Sequence, residues 1–378
     1  MVERPLSAVV LAAGEGTRMR SDRPKPLHRI CGRPMILHVL DALAQLHVDP
    51  VVVVVGHHGE WVTKTLLENT PRDVMVEFVE QATQGGTGDA LAVALTAFPQ
   101  SLADSEGDVI VLPGDTPLVR PPTLAALVRH HRASDTAATL LTAHVEDPSG
   151  HDRIIRGRND EVVGVLDARE VEEDLDVLEL DEVATPIACY RHNVLSAALR
   201  RLHPVGPRHE HSLTGVPGVL RDAGYAIETL VLDDPMEAAG VNDRAQLAIA
   251  EAEMRDRINE RWMRRGVTMW DPERTYVDSS VDLEPDVVLL PGVILQGRTT
   301  VSKGAEIGPD TRLVDTTVGE SAVVMSSTAD RTQIGAEARI GPFCVLRPGT
   351  RVLDGQIVAP HTVLDADTVL DSAGPVGD

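Results

Sequence analysis

Residues 9–27 read VVLAAGEGTRMRSDRPKPL, and their order decides the fold of the first half of the chain. Val9, Val10 and Leu11 make an apolar run of the kind a buried parallel strand needs. Ala12, Ala13, Gly14 and Gly16 follow, small enough for backbone N–H groups to approach an anion closely. Thr17 and Arg18 come next, near the start of a helix or turn, where orphan N–H groups favour negative charge. Lys25 lies between Pro24 and Pro26, so a stiff backbone holds its ammonium as a fixed point charge. The loop is not a Walker motif, since no Gly-Lys-Ser/Thr follows the glycines. Nor is it a dinucleotide fingerprint, whose third glycine would fall at Met19. The order of residues suits binding the phosphates of a nucleotide.

Length and composition bound what surrounds this loop. A chain of 378 residues has room for two domains. Its net charge of −23 argues against nucleic acid as a partner. The acidic residues are diffuse except at Glu170–Glu182, which reads as a solvated loop. Cys31, Cys189 and Cys344 are far apart without metal-binding spacing, so reduced thiols and a cytoplasmic location are expected. No apolar run approaches the roughly 18 residues of a membrane span. The first strand starts so early that no signal peptide is expected.

The chain has two grammars. Up to residue 250, apolar runs at 7–12, 50–55, 75–80, 108–112, 137–145 and 226–232 alternate with helical patterns. The helical patterns lie at 33–47, 59–68, 87–97, 121–133, 193–202 and 242–265. Runs apolar on both faces, separated by helices, predict an α/β domain with a mainly parallel, Rossmann-like sheet. The stretch 146–192 is irregular and reads as an insertion carrying a β-hairpin. Residues 251–275 are expected to link the halves, continuing the helical pattern. From 276 to 378 an aliphatic residue recurs every six positions, from Val277 and Leu283 through Leu313, then from Ile334 through Leu370. Small or β-branched residues such as Val293, Thr299, Ala305 and Thr350 often sit four positions later. This is the hexapeptide repeat of a short left-handed parallel β-helix, a fold that implies assembly as a homotrimer. The interruption at 325–333 reads as a loop leaving one corner.

Three further segments fit the opening loop. Gln81 can offer a donor and an acceptor to a pyrimidine edge, and Gly86 and Thr87 follow it in QATQGGTG. Thr87 also suits the N-cap of the next helix. Gly114 and Asp115 sit just past the carboxyl end of a strand, where α/β sheets bind ligands. A carboxylate there suits Mg²⁺, which takes few protein oxygens beside phosphate and water. Asn242, in AGVND, fits a second metal contact and equally an N-cap.

Taken together, LAAGEGTRMRSDRPKPL, QATQGGTG, VIVLPGDTPL and AGVND resemble the bacterial bifunctional N-acetylglucosamine-1-phosphate uridyltransferase / glucosamine-1-phosphate acetyltransferase family. The resemblance spans most of residues 1–350. It implies a sugar-1-phosphate nucleotidyltransferase that joins UTP to a sugar-1-phosphate and releases pyrophosphate. Leu11, Ala12, Ala13, Gly14, Gly16, Thr17, Gln81, Gly86, Thr87 and Gly114 would bind the nucleotide. Arg18 and Lys25 would be catalytic, Asp115 and Asn242 would hold Mg²⁺, and Gly150 and Asp167 would contact the sugar. Thymidylyl or guanylyl specificity stays open, because one Gln does not define a base. A non-catalytic nucleotide-sugar-binding relative is the alternative, and retention of both metal contacts argues against it.

The acceptor side departs from that family. Asp167 stands where the family has Glu, Ala184 where it has Asn, and Pro186 removes an N–H. Glu210-His211-Ser212-Leu213-Thr214-Gly215 lacks the family's aromatic and carboxylate. The acceptor is therefore expected to be a sugar phosphate other than N-acetylglucosamine-1-phosphate. Arg347-Pro348-Gly349 matches the acetyltransferase half, yet no Lys, Tyr or Asn follows it, and His361 falls a coil too early. No acetyltransferase activity is expected.

Overall fold

The computed structural model describes residues 4–70, 74–99, 107–168, 180–206 and 209–370. Most of the acidic segment 170–182 lies outside them. The chain divides into two compact units, the boundary falling between Leu247 and Ala248, with Arg29–Arg33 grouped with the second.

The first unit is built on a sheet whose strands are β1 (Leu6–Ala12), β2 (Val51–Val55), β3 (Val76–Glu80), β4 (Asp108–Pro113), β5 (Ala138–His144), β6 (Arg153–Arg156), β7 (Val162–Leu166), β8 (Glu182–Arg191) and β9 (Ile227–Val231). Their order is β9-β5-β8-β4-β1-β2-β3, with β6 and β7 forming a hairpin against β8. Strand β1 pairs in parallel with β2 and β4, β2 with β3, and β5 with β9. The exception is β8, antiparallel to both of its neighbours, β4 and β5.

Alternation explains why these strands are apolar throughout. Ala8, Val10, Val51, Val53, Ile110 and Leu112 face a core completed by helices α1 (Met35–Leu43), α2 (Gly59–Asn69) and α4 (Pro121–Ser134). Val9, Val52, Val54, Val109 and Val111 face the opposite core, under α3 (Thr87–Leu95), α5 (His192–Leu199) and α6 (Val216–Asp222). Each fully buried valine contributes about 1.5–3 kcal/mol, so both faces need covering. The long helix α7 (Arg244–Arg264) follows.

Two elements depart from the sequence reading. Strand β8 lies in the middle of the sheet within the stretch read as irregular. It carries Pro186, which would interrupt a central ladder, at a register shift between Ala184 and Ala188. Helix α6 was also missed, being only seven residues long.

The second unit contains three six-stranded parallel sheets made of two- and three-residue strands. They stack as the coils of a left-handed β-helix. Leu289, Leu295 and Val301 point inward and are buried, as are Ile340, Leu346 and Val352 three coils later. Thr299, Ala305, Thr311 and Thr350 are buried at the corners. Residues 325–333 are not a loop leaving the solenoid. Thr328–Asp330 pairs in parallel with Arg312–Val314 and Val345–Leu346, so the segment is a side of a coil. The period was hidden because the inward residue is Ala329, and because Leu313 to Val318, Val324 to Ala329 and Ala329 to Ile334 are five-residue steps. His361 sits at an exposed corner with φ 63°, its ring stacked on Phe343 at 5.1 Å.

Candidate active site

A cavity of about 730 Å³ opens over the carboxyl ends of β1 and β4. Leu11, Ala12, Ala13, Gly14, Arg18, Lys25, Gln81, Gly86, Thr87, Gly114, Asp115, Gly150 and Asn242 all line it. Gly16, Thr17 and Asp167 do not. Gly16 lies behind Lys25, with φ +63° and a virtual Cβ only 2.6 Å from the Lys25 Cβ. Thr17 begins a short 3-10 turn capped by Gly16. Asp167 follows β7, half-buried, while its neighbour across the turn, Asp152, lines the cavity.

Four side chains converge on one point. The Lys25 ammonium contacts the Asp115 carboxylate and donates to Asn242 Oδ1 at 2.8 Å. Arg18 Nη2 donates to the same Asn242 oxygen at 3.0 Å. The backbone prepares this meeting. Val241 N–H donates to the Asp115 carbonyl at 2.9 Å, which seats Asn242 beside Asp115. Arg244 Nε donates to the Met19 carbonyl at 3.2 Å and steadies the Arg18 turn.

The capping readings need correction. The N-cap of α7 is Asp243, whose Oδ1 accepts from the N–H groups of Ala245 and Gln246 at 2.9 Å each. Asn242 is thereby released from capping, and its amide oxygen faces the cations. Gly86, not Thr87, stands at the N-cap of α3. The Thr87 hydroxyl instead accepts from Leu213 N–H at 3.0 Å. Gly86 has φ +97° and ψ −179°, a region essentially reserved for glycine, and its virtual Cβ lies 2.6 Å from the His211 carbonyl oxygen.

Gln81 is buried, and its Nε2 donates to the Gly86 carbonyl and to Asp89 at 3.1 and 2.7 Å. Its role in the wall is therefore partly to hold the Gly86 loop.

Several lining residues escaped the sequence reading. Gln84 donates to the Ala13 carbonyl at 3.3 Å. Tyr190 lies in the wall, where burial pushes its phenol well above the usual range. Asp152 brings a polar group to the wall, as do Glu210, Ser212 and Thr214 of the segment already read on the acceptor side. The β8 wall there is poor in side-chain hydrogen bonding: Ala184, Pro186 and Ala188 have nothing to offer, and the Thr185 hydroxyl donates to the Leu141 carbonyl at 2.7 Å.

Asp115 and Asn242 present two hard oxygens to a single cationic nitrogen. A carboxylate and an amide oxygen sharing one cation position fit the donor chemistry of a hard divalent metal. Among the described residues, no group of three or more His, Cys, Asp or Glu gathers for a metal elsewhere. Opposed to these oxygens, Arg18 and Lys25 offer positive charge to a phosphate. The arrangement can bind a polyphosphate and stabilise charge that shifts between its oxygens.

The chain is similar to known proteins over most of its length. Residues 8–216 match the MobA-like NTP transferase domain family. The bifunctional protein GlmU of Streptomyces avermitilis is 41% identical over 350 residues, covering 92% of this chain and 71% of the relative. GlmU of Shouchella clausii is 39% identical over 345 residues, covering 91% and 73%. A solved Bacillus anthracis chain described as a glucose-1-phosphate thymidylyltransferase superposes with a TM-score of 0.52. At 19% identity, covering 66% of this chain and 96% of that one, it shares the fold.

Proposed function

The chain belongs to the GlmU family and is a sugar-1-phosphate nucleotidyltransferase; we propose that it transfers a uridylyl group from UTP to N-acetylglucosamine-1-phosphate or a related sugar phosphate. The observation that carries this reading is the meeting of Arg18, Lys25, Asp115 and Asn242 in one cavity.

A sugar-phosphate oxygen attacks the α-phosphorus of UTP in line. The new P–O bond forms as the bond to the bridging oxygen of pyrophosphate breaks. No general base is needed, because the sugar phosphate is already anionic at neutral pH. Gly14 leaves the cradle open, with nothing within 4 Å of its virtual Cβ, so phosphate can approach the backbone. Arg18 stabilises charge on the departing pyrophosphate. Lys25 turns from Asp115 and Asn242 to the reacting phosphates and holds them in line. Asp115 and Asn242 would hold Mg²⁺, which when bound neutralises negative charge on the phosphates. The sugar lies toward Gly150, Asp152 and the 210–214 loop, and the bare β8 wall relaxes its selection.

Acetyl transfer is not part of this reading, since His361 stacks on Phe343 at an exposed corner. Cys31, Cys189 and Cys344 are buried free thiols, and no helix among the described residues is long and apolar enough to cross a membrane. Both observations suit a cytoplasmic enzyme, whose copies we expect to associate as trimers through the β-helix.

The test is pyrophosphate release from a matrix of nucleoside triphosphates and sugar-1-phosphates. UTP should give the highest kcat/KM. Arg18→Ala should lower kcat by about 10²–10³-fold, equivalent to about 2.7–4 kcal/mol of transition-state stabilisation. Asp115→Ala should be at least as impaired. Absence of release with every pair, or full activity in Asp115→Ala, would overturn the reading.

A further inference from the structure

Arg153 opens β6 and is among the largest side chains buried almost completely, at 1% exposure. A buried guanidinium is costly unless its position serves something. Here Nη1 donates to the His151 carbonyl at 2.5 Å, and buried Nε has no hydrogen-bond partner. No carboxylate lies within ion-pair distance among the described residues; Asp147 feels the charge only through its field. The arginine is thus spent on a single carbonyl, two residues back along its own chain.

That carbonyl belongs to a turn with a place in the site. His151 N–H donates to the Pro148 carbonyl at 3.1 Å, and Ser149 N–H to Asp147 Oδ1 at 3.1 Å. Gly150, His151 and Asp152, which complete the turn, line the cavity. Asp152 then ties the turn to β8 and to the segment just after β7. Its carbonyl accepts from Ala184 N–H at 2.9 Å, and its Oδ1 accepts from Ala168 N–H at 2.9 Å. Gly150 has φ +73° and empty space around its virtual Cβ, so packing of its own does not hold it.

We propose that Arg153 is a positioning residue for the sugar-phosphate acceptor, clamping the 150–152 turn from beneath through the His151 carbonyl. The inference rests on the transfer reaction proposed above. Arg153 touches no substrate; it sets where the backbone of Gly150 and His151 meets the sugar. Its loss loosens the acceptor wall and leaves the Gly14–Lys25 nucleotide cradle in place.

The experiment compares the full chain with Arg153→Met and Arg153→Lys. Met keeps the apolar stem and deletes every donor, and Lys keeps the charge and a donor. In Arg153→Met, KM for the sugar phosphate should rise about tenfold or more, with KM for UTP changed less than twofold. Arg153→Lys should recover part of that loss. Hydrogen exchange, read without turnover, should show faster exchange at 149–152 in Arg153→Met and unchanged exchange at 85–91. Parallel rises in both KM values, uniformly faster exchange, or an unchanged 149–152 segment would overturn the inference. If the wild-type chain releases no pyrophosphate, the uridylyl reading fails, and the exchange arm still decides whether Arg153 clamps the turn.

Discussion

Gly14 and Gly16 stand two residues apart and answer to different constraints. Around Gly14 there is no atom within 4 Å of an added Cβ, so alanine fits the folded protein. Gly16 has φ +63° and would collide with Lys25. Gly14→Ala should therefore keep its melting temperature within about 2 °C, a change of no more than about 1 kcal/mol for a unit of this size. It should still raise KM for UTP, because a methyl group stands where phosphate oxygens approach. Gly16→Ala should lose about 1–2 kcal/mol of stability from the strained φ and lower kcat as Lys25 is displaced. Thermal melting together with UTP kinetics separates the two; equal loss of stability in both variants would contradict the assignment. The same contrast shows what was legible at this scale. Arg18, Lys25 and Asp115 stand out in the sequence because their charge and their place in loops that follow strands are local features. Gln84, Tyr190 and Asp152 do not, because long-range packing brings them to the cavity. Asn242 shows the limit most clearly: its neighbour Asp243 takes the cap, and nothing in AGVND alone decides between them.

Strand β8 carries the same lesson for elements. The parallel strands announced themselves as Val-rich runs because both of their faces are buried. The sequence of β8, EVATPIACYR, has a proline in its middle, which argues against a central strand. The sheet accommodates Pro186 with a register shift, and Ala184, Thr185 and Pro186 at that shift line the cavity. The neighbouring β4 begins with Asp108, whose buried carboxylate joins strand to helix. Arg132 of α4 donates to it at 2.7 Å, and His131 lies 3.5 Å away. Burial alone would push this carboxyl up, but the His131 and Arg132 contacts outweigh burial and hold it below the usual range. With its folded pKa depressed, the group contributes stability that is fully present above the unfolded value of about 3.9 and is lost as pH falls through the lower folded value. Asp108→Asn should cost about 1–3 kcal/mol at neutral pH by removing the buried carboxylate that accepts from Arg132 and faces His131. Urea midpoints at neutral pH and through the acid range should show that the deficit shrinks as the wild-type carboxyl protonates. A deficit that is constant with pH would mean that packing, not charge, holds this junction.

The whole molecule carries 58 acidic against 35 basic side chains, a net charge of −23, although its substrates are themselves anions. Locally, Arg18 and Lys25 stand against Asp115 and Asn242, so that two cations are held in one cavity inside a negative field. Globally, excess like charge works against the compact state. Many of the described ion pairs join exposed partners, such as Arg264–Glu260 and Lys303–Asp286, and contribute about 0–1 kcal/mol each. They cannot offset the repulsion among the remaining carboxylates, and salt screens that repulsion over roughly 10 Å at 0.1 M. The β-helix sharpens the expectation, because stacked coils repeat outward positions at the distance between neighbouring strands, about 4.8 Å. Acidic residues at the corners, such as Asp286, Asp310, Asp315 and Glu337, take left-handed backbone conformations and keep their carboxylates near solvent. Raising sodium chloride from about 10 to 150 mM should therefore raise the melting temperature by several degrees, most steeply at the low end where the screening length changes most. The same addition should raise KM for UTP, because it also weakens the attraction of Arg18 and Lys25 for phosphate. Calorimetry and kinetics across one salt series would read both effects. A melting temperature that fell with salt would show that surface ion pairs, rather than net charge, govern the stability of this chain.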